Sequence, residues 1–365
     1  MDQFKDAFCL LSLLQKGTTS LAIDCDPRPS KQLSTGSRYL DFSTGLNGYP
    51  VGKITEIFGK ESSWKTTLAL HAAVEAQKLP GIVVWLDVEC AFDASYARSL
   101  GVDLQRLILL RPANAEEAID AMTISAGSAT TRLIVVDSIA ALITKSEREN
   151  SVELTAGTTL SAVLARGLAK LLIPCQQNEC TVLLLNQIRY RNGTLFGDPH
   201  VAPGGQALRH YTSLRIQTGV TGAVQDRLAR WIGASSPEPR HTGAKVIKSR
   251  ASHSQLPLPL YFGKDGKLET FLDLLHCAAH LELIQQRNGA LYFNETKIPI
   301  PGTANASGEM ERQKIQDEMA EAVCAHFEQV RGVQGAEQAI LAPKPPIREM
   351  RADSSIGIQM RAAHA

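Results

Sequence analysis

The run Gly59-Lys60-Glu61-Ser62-Ser63-Trp64-Lys65-Thr66-Thr67 has the residue types and spacing of a phosphate-binding loop. The pattern G-x-x-x-x-G-K-[ST] is met at Gly59, Lys65 and Thr66 and broken at Trp64, where the second glycine belongs. In such a loop backbone N–H groups surround phosphate oxygens, the lysine brings positive charge and the hydroxyl ligates Mg²⁺. The second glycine lets the backbone turn and approach closely, which a side chain resists. A non-glycine residue forced into a left-handed conformation costs roughly 1–2 kcal/mol before any clash.

Two carboxylates extend this chemistry. Asp137 closes the apolar run Leu133-Ile134-Val135-Val136, the strand plus acid that holds the hydration shell of Mg²⁺ beside a loop hydroxyl. Alone the signal is weak, because many buried strands end in Asp; about 70 residues after a phosphate loop in one sheet it is strong. Glu89 lies just past the apolar strand that ends at Asp87, where a carboxylate can orient or deprotonate an attacking water. Its plainer alternative is a solvated loop acid or helix cap.

The elements that must position these groups alternate as strand, loop and helix. Apolar runs over 53–58, 82–87, 107–110, 133–136 and 182–185 predict strands; 66–78, 94–100, 115–126 and 159–173 predict helices. Near-continuous apolar strands between helices indicate α/β architecture with a mostly parallel sheet covered on both faces. Ligands in such sheets sit at the carboxyl ends of strands, where Gly59, Glu89, Asp137 and Gln187 all fall. Closely spaced strands over 214–218, 244–249 and 258–262 suggest an antiparallel extension. Residues 4–16 have the spacing of a short amphipathic helix, packed on its own core or on a neighbouring subunit.

With 44% hydrophobic and 21% charged residues, the chain has the composition of a soluble globular protein with ample core. A net charge of +1 gives no global attraction to polyanions, so nucleic-acid binding must come from a local cluster. Seven cysteines without metal-ligand spacing, and no secretory leader, predict reduced thiols and a cytoplasmic location. No apolar stretch is long enough to span a bilayer.

Four motifs follow in order: Glu61-Ser62-Ser63-x-Lys65-Thr66-Thr67, then Asp87-Val88-Glu89-Cys90-Ala91-Phe92-Asp93-Ala94-Ser95-Tyr96, then Ile134-Val135-Val136-Asp137-Ser138, then Leu185-Asn186-Gln187-Ile188-Arg189. Together they closely resemble the RecA family of bacterial recombinases, from about residue 35 to 250 and more loosely through 272–305. The resemblance implies a RecA-like core with a mostly parallel central sheet over 31–263. It also implies an N-terminal oligomerisation segment over 1–30, a small C-terminal α/β domain over 264–330 and a flexible tail over 331–365.

By the same resemblance, ATP and Mg²⁺ are the cofactors. Gly59, Lys60, Glu61, Ser62, Ser63, Trp64, Lys65, Thr66 and Thr67 would surround the phosphates, with Thr66 and Asp137 on the metal. Glu89 would activate water, Asp93 and Tyr96 would contact adenine, and Gln187 would sense the γ-phosphate. Lys248 and Arg250 would reach a neighbour's ATP across a filament interface; Arg250 stands where lysine is usual, which changes donor geometry. Single-stranded DNA would meet loops at about 147–157 and 188–205. The second carries Arg189, Arg191, Phe196, Gly204 and Gly205, followed by Arg209: charge for phosphates, a ring that stacks and glycines for close approach. On composition alone the stretch reads as a Gly-rich loop with incidental arginines.

The implied function is an ATP-dependent DNA recombinase that forms filaments on single-stranded DNA and pairs it with double-stranded DNA in repair. An SOS repressor whose self-cleavage the filament promotes is a further implied partner; a membrane is not. Several positions depart from the family pattern. Ala162 and Ala169 stand where arginines directed at the DNA backbone are expected, and Gly157 replaces a methionine. Trp64 admits three readings: an active loop with the ring swung outward, a hydrolysis-deficient RecA-like filament or regulatory protein, or a single-base change from a glycine codon.

Overall fold

The computed structural model describes residues 31–149, 159–190, 200–201, 205–220, 240–249, 257–287, 290–299 and 306–331. The helix expected over 4–16, most of the first DNA loop, Arg191, Phe196, Gly204, Arg250 and the tail beyond 331 lie outside the described residues. Runs of Val, Ile and Leu that are apolar on both sides of the strand become the interior of one sheet. A short antiparallel ladder of β1 (Gln32–Leu33) and β2 (Tyr49–Pro50) precedes it. The sheet's parallel strands are β3 (Ile54–Gly59), β4 (Ile82–Asp87), β5 (Leu107–Leu110), β6 (Thr131–Asp137) and β7 (Thr181–Gln187). A separate two-residue ladder joins β8 (Arg189–Tyr190) to β9 (His200–Val201). The sheet is completed by β10 (Leu214–Thr218), β11 (Arg240–Lys248) and β12 (Leu258–Phe262). Its eight strands lie in the order β12-β11-β10-β3-β7-β6-β4-β5.

The antiparallel extension is shorter than the sequence suggested. β10 runs parallel to β3, from Leu214 opposite Thr55 to Thr218 opposite Gly59; only β11 and β12 are antiparallel. The physical reason is the connection. A parallel return needs a long crossover, and the stretch between β7 and β10 supplies one with the helix Gly205–Tyr211 in it.

Side chains of alternate residues point to opposite faces, and each face carries its own apolar cluster. Leu133 and Val135 of β6 join Leu183 and Leu185 of β7 against the helix Lys65–Gln77. Ile134 and Val136 join Val182 and Leu184 against the helices Ala115–Ala126 and Leu160–Asn178. The second of these helices was expected to stop at Ile173, yet it runs through Pro174 to Asn178. Proline removes one helical hydrogen bond. Buried Leu164, Leu168, Leu171 and Cys175 hold the helix to the sheet on either side of the break. The Asn178 side-chain amide also donates to the carbonyls of Ala126 and Pro174, at 2.9 and 3.3 Å. A third cluster gathers Phe271, Leu272, Leu275, Phe293, Ile315 and Met319, with Tyr39, Phe42 and Tyr261 packed on or within it.

One polar group lies at the centre of the sheet. Glu56 of β3 is fully buried, accepts from Arg215 Nε of β10 at 2.5 Å, and accepts from Asn186 Nδ2 of β7 at 2.9 Å. The Arg215 guanidinium also lies over the Phe58 ring, 4.6 Å from its centroid. Removing one partner of a buried pair leaves an uncompensated charge, which costs about 3–5 kcal/mol, whereas an apolar or neutral replacement of both can be close to neutral. Arg215→Met is therefore expected to destabilise the chain by about 3 kcal/mol in urea unfolding, with most of the loss recovered in Glu56→Gln/Arg215→Met. Additive losses would show that the pair is not what orders these strands.

Candidate nucleotide-binding site

Strand β3 ends at Gly59, and the chain passes through residues 60–64 directly into the helix that begins at Lys65. Gly59 is required by crowding: a Cβ there would stand 2.5 Å from Thr218 O and 2.7 Å from Ser63 Oγ. The Ser63 hydroxyl shares a 2.8 Å hydrogen bond with Thr218 Oγ1, so the end of β10 braces the loop. Lys65 is buried, and its ammonium donates to Lys60 O at 2.7 Å, Gly59 O at 3.3 Å and Ser63 Oγ at 3.4 Å. Burial pushes the Lys65 pKa down, opposed by the charges of Asp137, Glu89 and Glu61. A buried ammonium satisfied by neutral oxygens is ready to exchange them for an anion.

Thr66 Oγ1 donates to Asp137 Oδ2 at 2.9 Å, so the two predicted metal ligands meet. A hydroxyl and a carboxylate are hard oxygen donors of the kind Mg²⁺ accepts together with phosphate oxygens. Among the described residues no cluster of three His, Cys, Asp or Glu side chains could hold a metal by itself. The donor set thus fits a metal that arrives with phosphates. Burial raises the Asp137 pKa to about 6; the Thr66 hydrogen bond and the Lys65 charge oppose the shift, and the charges of Glu89 and Asp87 add to it.

Glu89 is exposed, and its Oε1 accepts from the Ser138 hydroxyl and from Gln187 Nε2, the latter at 3.1 Å. The strand ends deliver these groups together. Val88 and Glu89 donate their N–H groups to Asp137 O, at 2.8 and 3.3 Å, and Ile188 N donates to Gly59 O at 3.1 Å. Tyr96 OH bonds Thr67 Oγ1 at 2.8 Å, which places its ring beside the loop helix. Asp93 caps the helix Ala94–Ser99, its Oδ1 accepting from Ser95 N and Tyr96 N at 2.8 and 3.0 Å. Gly266, at φ +80°, closes over Tyr96; a Cβ there would lie 2.2 Å from the phenol oxygen.

Trp64 keeps the backbone a glycine would have, at φ 69° and ψ 18°. Ser62 before it is also left-handed, at φ 55°. The indole stacks on Phe262, with ring centroids 4.4 Å apart and planes 1° from parallel. A left-handed non-glycine residue costs roughly 1–2 kcal/mol. A stacked aromatic pair returns about 0.5–1.5 kcal/mol beyond its burial, so the two are of the same size.

Of the remaining predicted residues, Lys248 donates to Arg209 O at 2.7 Å and Thr212 O at 2.5 Å, at the end of the helix Gly205–Tyr211. Gly205 opens that helix with φ +62°, and Arg209 on it is exposed. The backbone of Arg189 pairs with Val201, which joins the two ends of the stretch between them. Sequence reasoning missed Glu56, Arg215, Thr218, Phe262 and Gly266, whose partners are all far away in the chain. Ser138 was visible within its motif but had no role assigned.

A family profile for the RecA N-terminal domain matches residues 7–254. Protein RecA of Mycoplasma mobile is 33% identical over 77% of this chain and 82% of that protein. Protein RecA of Blastochloris viridis is 36% identical over 84% of this chain and 85% of that protein. A crystal structure of the RadB recombinase aligns with a TM-score of 0.49 and 23% identity over 64% of this chain and 98% of that chain. The chain belongs to the RecA family.

The raised Asp137 pKa has a stability consequence. The folded state binds this proton more tightly than the unfolded one, whose carboxyl titrates near 3.8, so stability falls as pH rises from there through about 6. Asp137→Asn is expected to raise the melting temperature of the metal-free, nucleotide-free chain by about 2–4 °C at pH 7.5. At pH 5, between the unfolded value of 3.8 and the folded value of about 6, the gain should shrink to about half, because the unfolded carboxyl is already ionised there. Differential scanning fluorimetry at both pH values checks this, and a lower melting temperature at pH 7.5 would contradict it.

Proposed function

We propose that this chain is an ATP-dependent DNA recombinase that assembles into filaments on single-stranded DNA and promotes homologous pairing and strand exchange with double-stranded DNA in repair. Membership of the RecA family supports a recombination role. One observation carries the finer reading. The Gln187 side chain is bonded to Glu89, while the next residue, Ile188, donates its N–H to Gly59 O. The hydrolytic carboxylate, the phosphate loop and the root of the stretch 188–205 are therefore joined through two consecutive residues. A γ-phosphate that drew the Gln187 amide from Glu89 would move that root.

In this reading Lys65 exchanges the carbonyls of Gly59 and Lys60 for phosphate oxygens. Thr66 and Asp137 would hold Mg²⁺, which would supply positive charge to the transferring phosphoryl group. Glu89, released by Gln187, accepts the proton of the attacking water. Tyr96 offers its ring to adenine, with Asp93 at the start of the same helix. Lys248 and Arg250 of one copy act on the ATP of the next; cations supplied this way are worth roughly 10³–10⁵ in rate. Arg189, Arg191 and Arg209 bring charge to the DNA backbone, Phe196 a stacking ring, and Gly204 and Gly205 close approach. Cytoplasmic location and stimulation of an SOS repressor's self-cleavage belong to the same proposal. No helix among the described residues is long and apolar enough to cross a membrane.

The left-handed Trp64 favours a second reading, a hydrolysis-deficient RecA-like filament or regulatory protein. Phosphate release at saturating ATP and single-stranded DNA separates the two. The recombinase reading expects DNA-stimulated turnover that Lys65→Ala lowers by at least about 100-fold. Filaments that form without turnover above background would select the second reading.

A further inference from the structure

Phe262 is the last residue of β12, at the edge of the sheet, and is fully buried. In sheet order β11 and β10 lie between it and β3, whose end opens the phosphate loop. The ring is fixed on several sides. Phe262 bridges Leu268 through its backbone, the His71 ring lies 6.3 Å away at 33°, and the Trp64 indole covers one face in parallel. The Trp64 side chain is partly buried and packs against the apolar cluster that contains Phe262.

We propose that Phe262 is a positioning residue for the nucleotide site, holding the indole of Trp64 at the β12 edge so that residue 64 keeps the left-handed backbone of a phosphate loop. The inference rests on the nucleotide-binding reading above. A glycine reaches the left-handed region through freedom; here a tryptophan is kept there by fixation. The stacking plane on Phe262 is what distinguishes this from mere tolerance. Without it the indole has no flat partner, residue 64 relaxes towards ordinary backbone angles, and the loop N–H groups and Lys65 lose their alignment. Freed from the edge strand, the large side chain would also compete for the concave side of the loop. The two residues should therefore act as one unit, and changes at them should not be additive.

The test is a double-mutant cycle on the full chain: the unmodified protein, Phe262→Leu, Trp64→Gly and the double variant. Leucine keeps apolar bulk in the core but lacks the plane, and thermal melts establish that each variant is folded. ADP binding with Mg²⁺ is read by calorimetry. Phe262→Leu is expected to weaken binding about 10-fold when Trp64 is present and less than about 2-fold in the Trp64→Gly background. In parallel, the Trp64 emission, taken as the difference between chains with and without Trp64→Gly, should shift to the red on Phe262→Leu.

Equal losses in both backgrounds would overturn the proposal, as would an unshifted difference spectrum. Tighter binding by Phe262→Leu with Trp64 present would also overturn it, because the stack would then obstruct the site rather than support it. Absence of ADP binding in all four folded chains would sink the nucleotide reading itself, and the positioning role with it. Binding restored only by Trp64→Gly would leave that reading standing while removing this one.

Discussion

A carboxylate buried at the centre of a parallel sheet constrains everything above it. Glu56 has no exposure, and an unpaired charge there would cost several kcal/mol. Its partners come from both neighbouring strands, Arg215 from β10 and Asn186 from β7. Because side chains alternate along a strand, a slip of one residue would turn any of the three to the wrong face. The polar trio therefore sets the relative register of three adjacent strands. Those strands end in the phosphate loop, in Gln187 and in Thr218, which meet around Gly59 and Ser63.

Much of this was legible in the amino-acid order. Apolar runs of strand length, the loop from Gly59 to Thr67 and the acid closing β6 each carry a local signal, and local signals survive reading one residue after another. What stayed hidden depends on distant pairs. Nothing near Glu56 marks Arg215 as its partner, since the two are 159 residues apart. The direction of β10 was misread because close spacing of strands says little about the crossover that feeds them. The continuation of a helix through Pro174 depends on packing, which propensity does not contain. An Asp before an Ala-Ser-Tyr helix start is also a local capping signal, and Asp93 caps that helix.

Three of the eight non-glycine residues with positive φ among the described residues lie in the two loops of the site. Ser62 and Trp64 in one loop and Cys90 in the other are left-handed without being glycine. Conformations of this kind persist only where surrounding contacts over-determine them. Here those contacts include the Ser63–Thr218 bond, the Trp64–Phe262 stack and the N–H groups of Val88 and Glu89 on Asp137. The site is thus held by the ends of strands rather than by the loops' own preferences.

The turn at Gly266 comes close against the Tyr96 phenol just before the chain enters the helix Thr270–His280. Tyr96, bonded to the loop helix through Thr67, is therefore enclosed by two distant stretches of one polypeptide. A protein cut after residue 263 would keep every motif by which the site is recognised, yet it would have lost the turn that closes against Tyr96. Completeness of the motifs and completeness of the enclosure are separate properties of this chain, and the second belongs to its C-terminal third.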